Sequence, residues 1–320
     1  MALDLTDRRV LITGGAGFIG SNLANHLAEQ NEVIVVDNES LGTASNLDDS
    51  VEHHQVSVVD SELPTDVDVL YHLAAQSSYP MHEENPQNGA RVNIEGFVNT
   101  VEQARQDGCG TVVYASTSSI YGDCREPTPE DVQVSARTGY EASKLAREQY
   151  ADYFESHYGM SLAGMRFFSV YQGYGGAEGH KGEYANIISQ FADKISRGES
   201  PVIYGDGTQT RDFTHVDDIV RGLELAGSHG LSGRYNLGTG KPYSFNTVVE
   251  RLCDVLGRDV TPEYVENPIP ADVYVHDTCA DWSRMHEETG WQPKIGFAEG
   301  IRRVCDPYVN QSLADSDVPT

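Results

Sequence analysis

The stretch RRVLITGGAGFIGSNLANHLAEQNEVIVVDN, residues 8–38, constrains the fold more than any other part of the chain. A short β-branched run is followed at once by Gly14, Gly17 and Gly20 in a GxxGxxG arrangement, and these glycines open an amphipathic helical segment. The spacing predicts a strand, a tight turn and a helix whose N-terminal amides are left open to an anion. Glycine at these places permits the turn, lets a pyrophosphate approach the backbone and lets helix and strand pack closely. A second run, Glu32–Val36, ends at Asp37, whose carboxylate is placed to accept hydrogen bonds from the hydroxyls of an adenosine ribose and to repel a 2′-phosphate. The unit therefore reads as a dinucleotide site for NAD rather than NADP. A glycine-rich turn without a ligand is the competing reading, and the register of strand, helix and terminal acid weighs against it.

The next segments repeat the alternation. Strands are expected at Val10–Ile12, Glu32–Val36, Gln55–Val59, Val69–His72, Thr111–Ala115 and Leu162–Phe167, with a long helix over TGYEASKLAREQYADYFESHYG ended by Gly159. This is the pattern of a doubly wound α/β sheet of Rossmann type. After residue 170 the glycine-rich YQGYGGAEGHKGE reads as a loop able to close over a ligand. A helix over Ala185–Ser196 and a strand in PVIYGDG follow. HVDDIVRGLELAG and RYNLGTG then resume the helix-strand alternation, and helices are expected at Phe245–Leu256 and Ala280–Thr289. The expected division is a cofactor domain of residues 1–168 joined by 214–240, a smaller α/β substrate lobe of 169–213 and 241–312, and a disordered tail, 313–320.

Composition narrows the partners. A net charge of -27 and a pI near 4.6 oppose binding to nucleic acid or to an anionic membrane. Acid excess with only five lysines among 22 basic residues suits a high-salt cytoplasm, where a Debye length of roughly 3 Å at 1 M screens self-repulsion. The five scattered cysteines lack CxxC spacing, and His53 and His54 are adjacent rather than one helical turn apart, so neither a disulfide frame nor a metal site is expected. The opening residues carry charge early and no apolar run reaches spanning length, which predicts a soluble, cytoplasmic chain.

Tyr140 and Lys144 stand one helical turn apart in GYEASKLAREQ. With 17 Tyr and five Lys, chance alone supplies about a quarter of such a match, so the pair means little in isolation. Its surroundings are more specific. TGGAGFIG, VVDN, HLAAQ, YASTSSIYGD, YEASK and GDGTQTRDFTHVDD occur in that order. Together they resemble the extended short-chain dehydrogenases/reductases of the nucleotide-sugar epimerase group, the UDP-glucose 4-epimerase-like enzymes.

The resemblance implies a nucleotide sugar bound between the two lobes and NAD held by Gly14, Gly17, Phe18, Ile19, Gly20, Asp37, Asn38, Leu73, Ala74, Ala75, Gln76, Tyr140, Lys144 and Phe168. Asp60 reads either as a contact to the adenine edge or as an ordinary strand-end cap. In such enzymes Tyr140 would be the base that takes the proton of the sugar 4-hydroxyl while hydride passes to NAD, and return to the other face of the 4-keto sugar would give the epimer. A phenol near pKa 10 is too weak for this unless a neighbouring ammonium and the nicotinamide cation favour the phenolate, the part expected of Lys144. Thr117 matches the hydroxyl that bridges sugar and base. Ser118 and Ser119 stand where related dehydratases and decarboxylases carry acids, which favours simple epimerisation.

On the substrate side the resemblance implies Arg211 for the diphosphate, with a surface ion pair as its plainer alternative, and Tyr204 for the base, with core packing as its rival. It also implies Asn186 and Ser118 as polar contacts. Two departures stand out. Ser169 replaces the usual asparagine of R-[YF]-F-N, and no Lys or Arg occurs from Asp259 through Ser283, where a second phosphate arginine is usual. Lys181 or a protonated His276 are the candidates to replace it. Thr278 falls near the expected hexose pocket. By the same resemblance a homodimer is expected, through the helix after Asn93 and the helix carrying Tyr140. Other outcomes for the same half-reaction, including uronate epimerisation, and an NAD-sensing protein without catalysis remain as alternative readings.

Overall fold

The computed structural model describes residues 5–316. In chain order the elements are β1 (Arg9–Thr13), α1 (Phe18–Ala28), β2 (Glu32–Val36), β3 (Glu52–His54), β4 (Val69–His72), α2 (Tyr79–Glu84), α3 (Pro86–Ala90), α4 (Gly96–Asp107), β5 (Thr111–Ala115), α5 (Gly139–Tyr158) and β6 (Ser161–Phe167). The second part adds β7 (Val170–Tyr171), α6 (Ile187–Ser196), β8 (Val202–Tyr204), β9 (Thr210–Asp212), β10 (Thr214–His215), α7 (Val216–His229) and β11 (Gly233–Leu237). It closes with β12 (Pro242–Ser244), α8 (Phe245–Leu256), β13 (Glu263–Val265), α9 (Ser283–Thr289) and α10 (Phe297–Ser316).

Seven strands form one sheet in the order β11-β6-β5-β4-β1-β2-β3, every neighbouring pair parallel. Runs such as Val10–Ile12 and Val33–Val36 are fully buried because helices cover both faces, and this is why they read as continuous rather than alternating apolar stretches. Phe18, Leu23, Ile219 and Leu223 belong to the core on one face of the sheet, Phe97, Val101, Ala151 and Phe154 to the core on the other. A third core, including Ile188, Phe191, Val248, Leu252 and Val304, joins α6, α8 and α10 beside two-stranded ribbons that pair β12 with β9 and β13 with β8. No helix among the described residues is long and apolar enough to cross a membrane.

Three boundaries differ from expectation. The third strand occupies Glu52–His54, not Gln55–Val59, because Val58 is captured by α4: Asn99 Nδ2 donates to the Val58 carbonyl at 2.7 Å, and the Val58 side chain lies against Gly96. The helix expected from Ala280 begins at Ser283, since Ala280 pairs as a single bridge with Thr128 and its amide donates to Asp212 at 3.0 Å. Residues 313–316, expected in a disordered tail, are the last turn of α10, and 317–320 lie outside the described residues.

Beneath β5 and β6 runs a buried charge pair. Arg166 Nη2 donates to Glu148 Oε2 at 2.7 Å, with side chains 3% and 4% exposed, and Ser116 Oγ donates to the same carboxylate at 2.6 Å. Replacing Arg166 by Met leaves the buried carboxylate with only the more distant Arg234, at 3.5 Å, so the unfolding free energy from denaturant titration is expected to fall by about 3 kcal/mol.

Candidate active site

The sheet reverses winding direction at β1, whose neighbours are β2 on one side and β4 on the other. A crevice at the carboxyl ends of the strands is expected at such a point. There a cleft of about 540 Å³ opens, lined by the glycine turn, the ends of β2, β4 and β5, the start of α5 and the segment 269–278.

At its floor α1 begins at Phe18 with no capping side chain and no acid in its first turn, so its amides and its roughly half-unit positive charge face the cleft. Gly14 adopts φ 70°, and a Cβ there would stand 2.5 Å from the Ala74 amide nitrogen; at Gly20 a Cβ would run into the Gly14 carbonyl. The turn thus closes against the end of β4, with no side chain between an anion and the backbone. Asp37 accepts from the amides of Ala16 at 3.1 Å and Glu39 at 2.8 Å. Burial raises its pKa, and these amide bonds oppose the rise.

Of the residues expected at the cofactor, Gly14, Gly17, Phe18, Ile19, Gly20, Asp37, Asn38, Leu73, Ala74, Ala75, Gln76, Tyr140 and Lys144 all line this cleft. Two do not. Asp60 is exposed and binds Arg91 Nη2 at 2.6 Å. Phe168 is 1% exposed and stacks on Tyr121, because alternation along the chain sends Phe167 and Ser169 to the cleft and the residue between them to the core.

The catalytic candidates converge. The N-cap of α5 is Thr138, whose hydroxyl accepts from Glu141 N at 3.1 Å, and its C-cap is Gly159 at φ 70°. On the buried face of α5, Lys144 Nζ donates to the Ala115 carbonyl at 3.1 Å and lies 5.8 Å from the centre of the Tyr140 ring. Thr117 lines the cleft beside Ser118 and Ser119, and its hydroxyl has two partners in reach, Ser119 Oγ at 3.1 Å and the Tyr140 phenol.

Burial raises the Tyr140 pKa; the Thr117 hydrogen bond and the charge of Arg147 pull against it. Lys144 is itself held well below the usual lysine value by burial and by Arg147. Arg147 is thus a protein charge that favours the phenolate. Its guanidinium is fully buried and donates to the carbonyls of Asn93 at 2.6 Å, Ala74 at 2.7 Å and Ala115 at 3.4 Å. Sequence reasoning missed Arg147, although its spacing of seven from Tyr140 puts both on one helical face.

On the opposite wall Arg211 donates to the carbonyls of Thr210 at 2.8 Å, His276 at 2.8 Å and Val275 at 2.6 Å, and lies between the rings of Phe245 and Tyr274. It makes no ion pair among the described residues, which removes the surface-pair alternative; burial lowers its pKa. Ser169 lines the cleft at φ 31°, a strained conformation for a residue with a side chain. Thr278 lines it too, its hydroxyl accepting from the Asp212 amide at 3.1 Å. Two expected substrate contacts lie elsewhere. Asn186 caps α6, accepting from Ile188 N at 3.0 Å and donating to the Val170 carbonyl, and Tyr204 is 45% exposed outside the cleft. The segment lacking basic residues supplies an apolar wall of Ile269, Val273 and Val275. Of the two candidate replacements, Lys181 lines the cleft, whereas His276 turns to Asp277 at 3.0 Å outside it.

The chain's similarities agree with this geometry. Residues 10–238 match the family model described as the NAD dependent epimerase/dehydratase family. The chain belongs to that family. A UDP-glucose 4-epimerase of Mycolicibacterium smegmatis is 33% identical over 318 residues, covering 95% of this chain and 99% of the relative. Among solved structures, a UDP-glucose 4-epimerase of Thermotoga maritima with UDP-glucose superposes with TM-score 0.86 at 31% identity, covering 95% of this chain and 99% of that one. A UDP-glucose 4-epimerase of Thermus thermophilus in complex with NAD gives TM-score 0.82 at 30% identity, covering 94% and 99%. Other relatives are UDP-glucuronate 4-epimerases and UDP-glucuronic acid decarboxylases.

Like its family, this epimerase/dehydratase is an enzyme that uses NAD. The open amides of α1, the two glycines with no room for a Cβ and the carboxylate at the end of β2 fit that cofactor. A Gly20→Ala variant is expected to fold and to be purified with much less bound NAD than wild type, measured by absorbance of the cofactor extracted from the denatured protein.

Proposed function

We propose that this enzyme interconverts UDP-hexoses at C4 through a transient 4-keto sugar. The observation that carries the reading is the state of the carboxylates at the cleft. Asp37 is bound by amides at the cofactor end, and Glu141 is turned to Arg137, accepting from its Nη2 and its amide at 2.7 Å. At the end of β5, where the related enzymes carry further acids, stand the hydroxyls of Thr117, Ser118 and Ser119. Dehydration or decarboxylation needs a further acid-base group near the sugar, and both carboxylates that line this cleft are already engaged by protein donors.

When bound, NAD supplies the two-electron acceptor and donor that let C4 become a ketone and return. The chain's own residues do the rest. The Tyr140 oxygen holds the proton of the 4-hydroxyl as it leaves and gives it back. Thr117 orients that oxygen, and Arg147 favours the phenolate from below. Lys144, fixed by the Ala115 carbonyl, keeps its amine 5.8 Å from the centre of the Tyr140 ring. Arg211 offers the diphosphate a cation without a competing carboxylate, and the strained Ser169 faces the sugar side.

The same reading makes the enzyme cytoplasmic, where its five unpaired cysteines stay reduced, and adapted to salt. It also makes it a homodimer, through the face where Tyr150 and Tyr153 lie exposed on α5 next to α4.

Incubation in molar salt with UDP-glucose, UDP-galactose, their N-acetylated forms and UDP-glucuronate, with products read by NMR, tests this reading. Equilibration of a gluco/galacto pair by wild type and its loss in Tyr140→Phe is the expected result. Turnover of only the uronate would move the assignment to that substrate, and turnover of none, with the variant indistinguishable, would leave a binding protein. A Thr117→Val variant loses a bond that favours the phenolate, so its phenol pKa rises further. The acid limb of its kcat/KM profile is expected to move to higher pH, measured across pH 6–10.

A further inference from the structure

The glycine-rich loop between β7 and α6 reaches across the cleft to the other lobe. Its start is tied to α1 by a reciprocal amide pair: Asn22 Nδ2 donates to Gln172 Oε1 at 3.2 Å, and Gln172 Nε2 donates to Asn22 Oδ1 at 2.7 Å. Further along, His180 Nδ1 meets Asn46 Nδ2 at 3.0 Å, and the same Asn46 amide donates to the Ala16 carbonyl within the glycine turn. The loop is held in shape from behind by the fully buried Glu178. That carboxylate accepts from the amides of Gln172 at 2.8 Å, Gly173 at 3.0 Å and Asn186 at 2.6 Å, and from Ser189 Oγ at 2.6 Å. The consequence falls on Lys181. Its ammonium lies 5.8 Å above the Phe18 ring, the first residue of α1, and it lines the cleft without an ion pair or side-chain hydrogen bond among the described residues. An unpaired ammonium is thus carried over the helix end whose amides face an anion.

We propose that Lys181 is a ligand of the dinucleotide's pyrophosphate, and that the loop from Gln172 to Tyr184 is the clasp that brings it there. Arg211 is bound to the carbonyls of Thr210, Val275 and His276 on the wall that residues 269–278 complete, whereas Lys181 is anchored through its neighbours to α1 and to the turn after β2. The two cations therefore serve different diphosphates: Arg211 that of the substrate, Lys181 that of the cofactor. The bonds of the loop to α1 and to Asn46 hold Lys181 in place, so loosening them should weaken its hold on the cofactor. The inference rests on the dinucleotide site and not on which sugar the enzyme turns over.

The test uses full-length protein and three variants, Lys181→Gln, Lys181→Arg and Asn22→Ala, with NAD loss followed by rapid dilution and extraction, and with ADP-ribose, adenosine and UDP titrated by calorimetry. Lys181→Gln is expected to release NAD about tenfold faster and to bind ADP-ribose about tenfold more weakly, the size of one charge-assisted contact. Adenosine, which lacks the pyrophosphate, should bind unchanged, and UDP should bind the NAD-loaded protein unchanged. Lys181→Arg should restore retention, and Asn22→Ala should speed NAD release with the charge intact. Unfolding midpoints in the absence of NAD should match wild type. Unchanged NAD retention in Lys181→Gln overturns the proposal, and so does a loss confined to UDP, which would give the lysine to the substrate. Equal weakening of adenosine and ADP-ribose would show a folding defect of the loop rather than a phosphate contact and would overturn it as well.

Discussion

A helix that turns Lys144, Arg147 and Glu148 toward a parallel sheet must find a partner for every one of those charges, and the site is built from the partners it finds. Glu148 is neutralised by Arg166. Arg147 has no carboxylate; it collects the backbone carbonyls of Asn93, Ala74 and Ala115. Lys144 shares the last of these. Burying charges costs several kcal/mol unless each is bonded, so the ends of β4 and β5 and the π-helical turn around Asn93 are held in one arrangement. Asn93 extends the set: its side chain pairs with both backbone groups of Gln76 and donates to Ser143 Oγ. The cleft wall at Ala74, Gln76 and Ala115 is therefore positioned by polar atoms behind it, leaving its front free for ligand.

The same burial explains why the phenol is not acidic on its own. Desolvation raises the Tyr140 pKa and lowers those of Lys144 and Arg147, so one cause pushes proton donor and cations toward their neutral forms. Thr117 and Arg147 act against it from two sides, and His82 packs edge-on against the ring at 5.6 Å with its own pKa lowered by burial. A phenol held in this way stays protonated until positive charge arrives in the cleft. On the proposed mechanism this would couple removal of the proton to the presence of the cofactor, since a cation beside the ring favours the phenolate.

Features fixed by a few consecutive residues were legible in the sequence. The glycine turn, Asp37, the Tyr140–Lys144 spacing and the end of α5 at Gly159 follow from local sterics and helical period, and each stands where that logic puts it. Phe168 misled because the alternation of β6 continues one residue past the strand and turns this ring into the core. Asp60, Asn186 and Tyr204 misled for another reason: each is a polar or aromatic residue beside a strand or helix end, where a cap, an ion pair and a ligand contact share one local signature. Only tertiary placement separates them. Glu178 and His180 carry no pattern at all, since their roles depend on a loop folding back onto α1 and Asn46.

The scarcity of lysine gives the surviving lysines weight. The chain has five, and two of them, Lys144 and Lys181, line one cleft. Together with Arg211 they face only two lining carboxylates, Asp37 and Glu141, both already engaged by protein donors. A molecule of charge -27 repels a dinucleotide and a nucleotide diphosphate at long range, and at physiological ionic strength that repulsion reaches about 8 Å. On the proposed reading, binding is won at contact distance, by cations withdrawn from the acidic surface and left without carboxylate partners. The apolar wall of Ile269, Val273 and Val275 belongs to the same solution, since apolar surroundings lower the local dielectric and strengthen what charge the cleft holds.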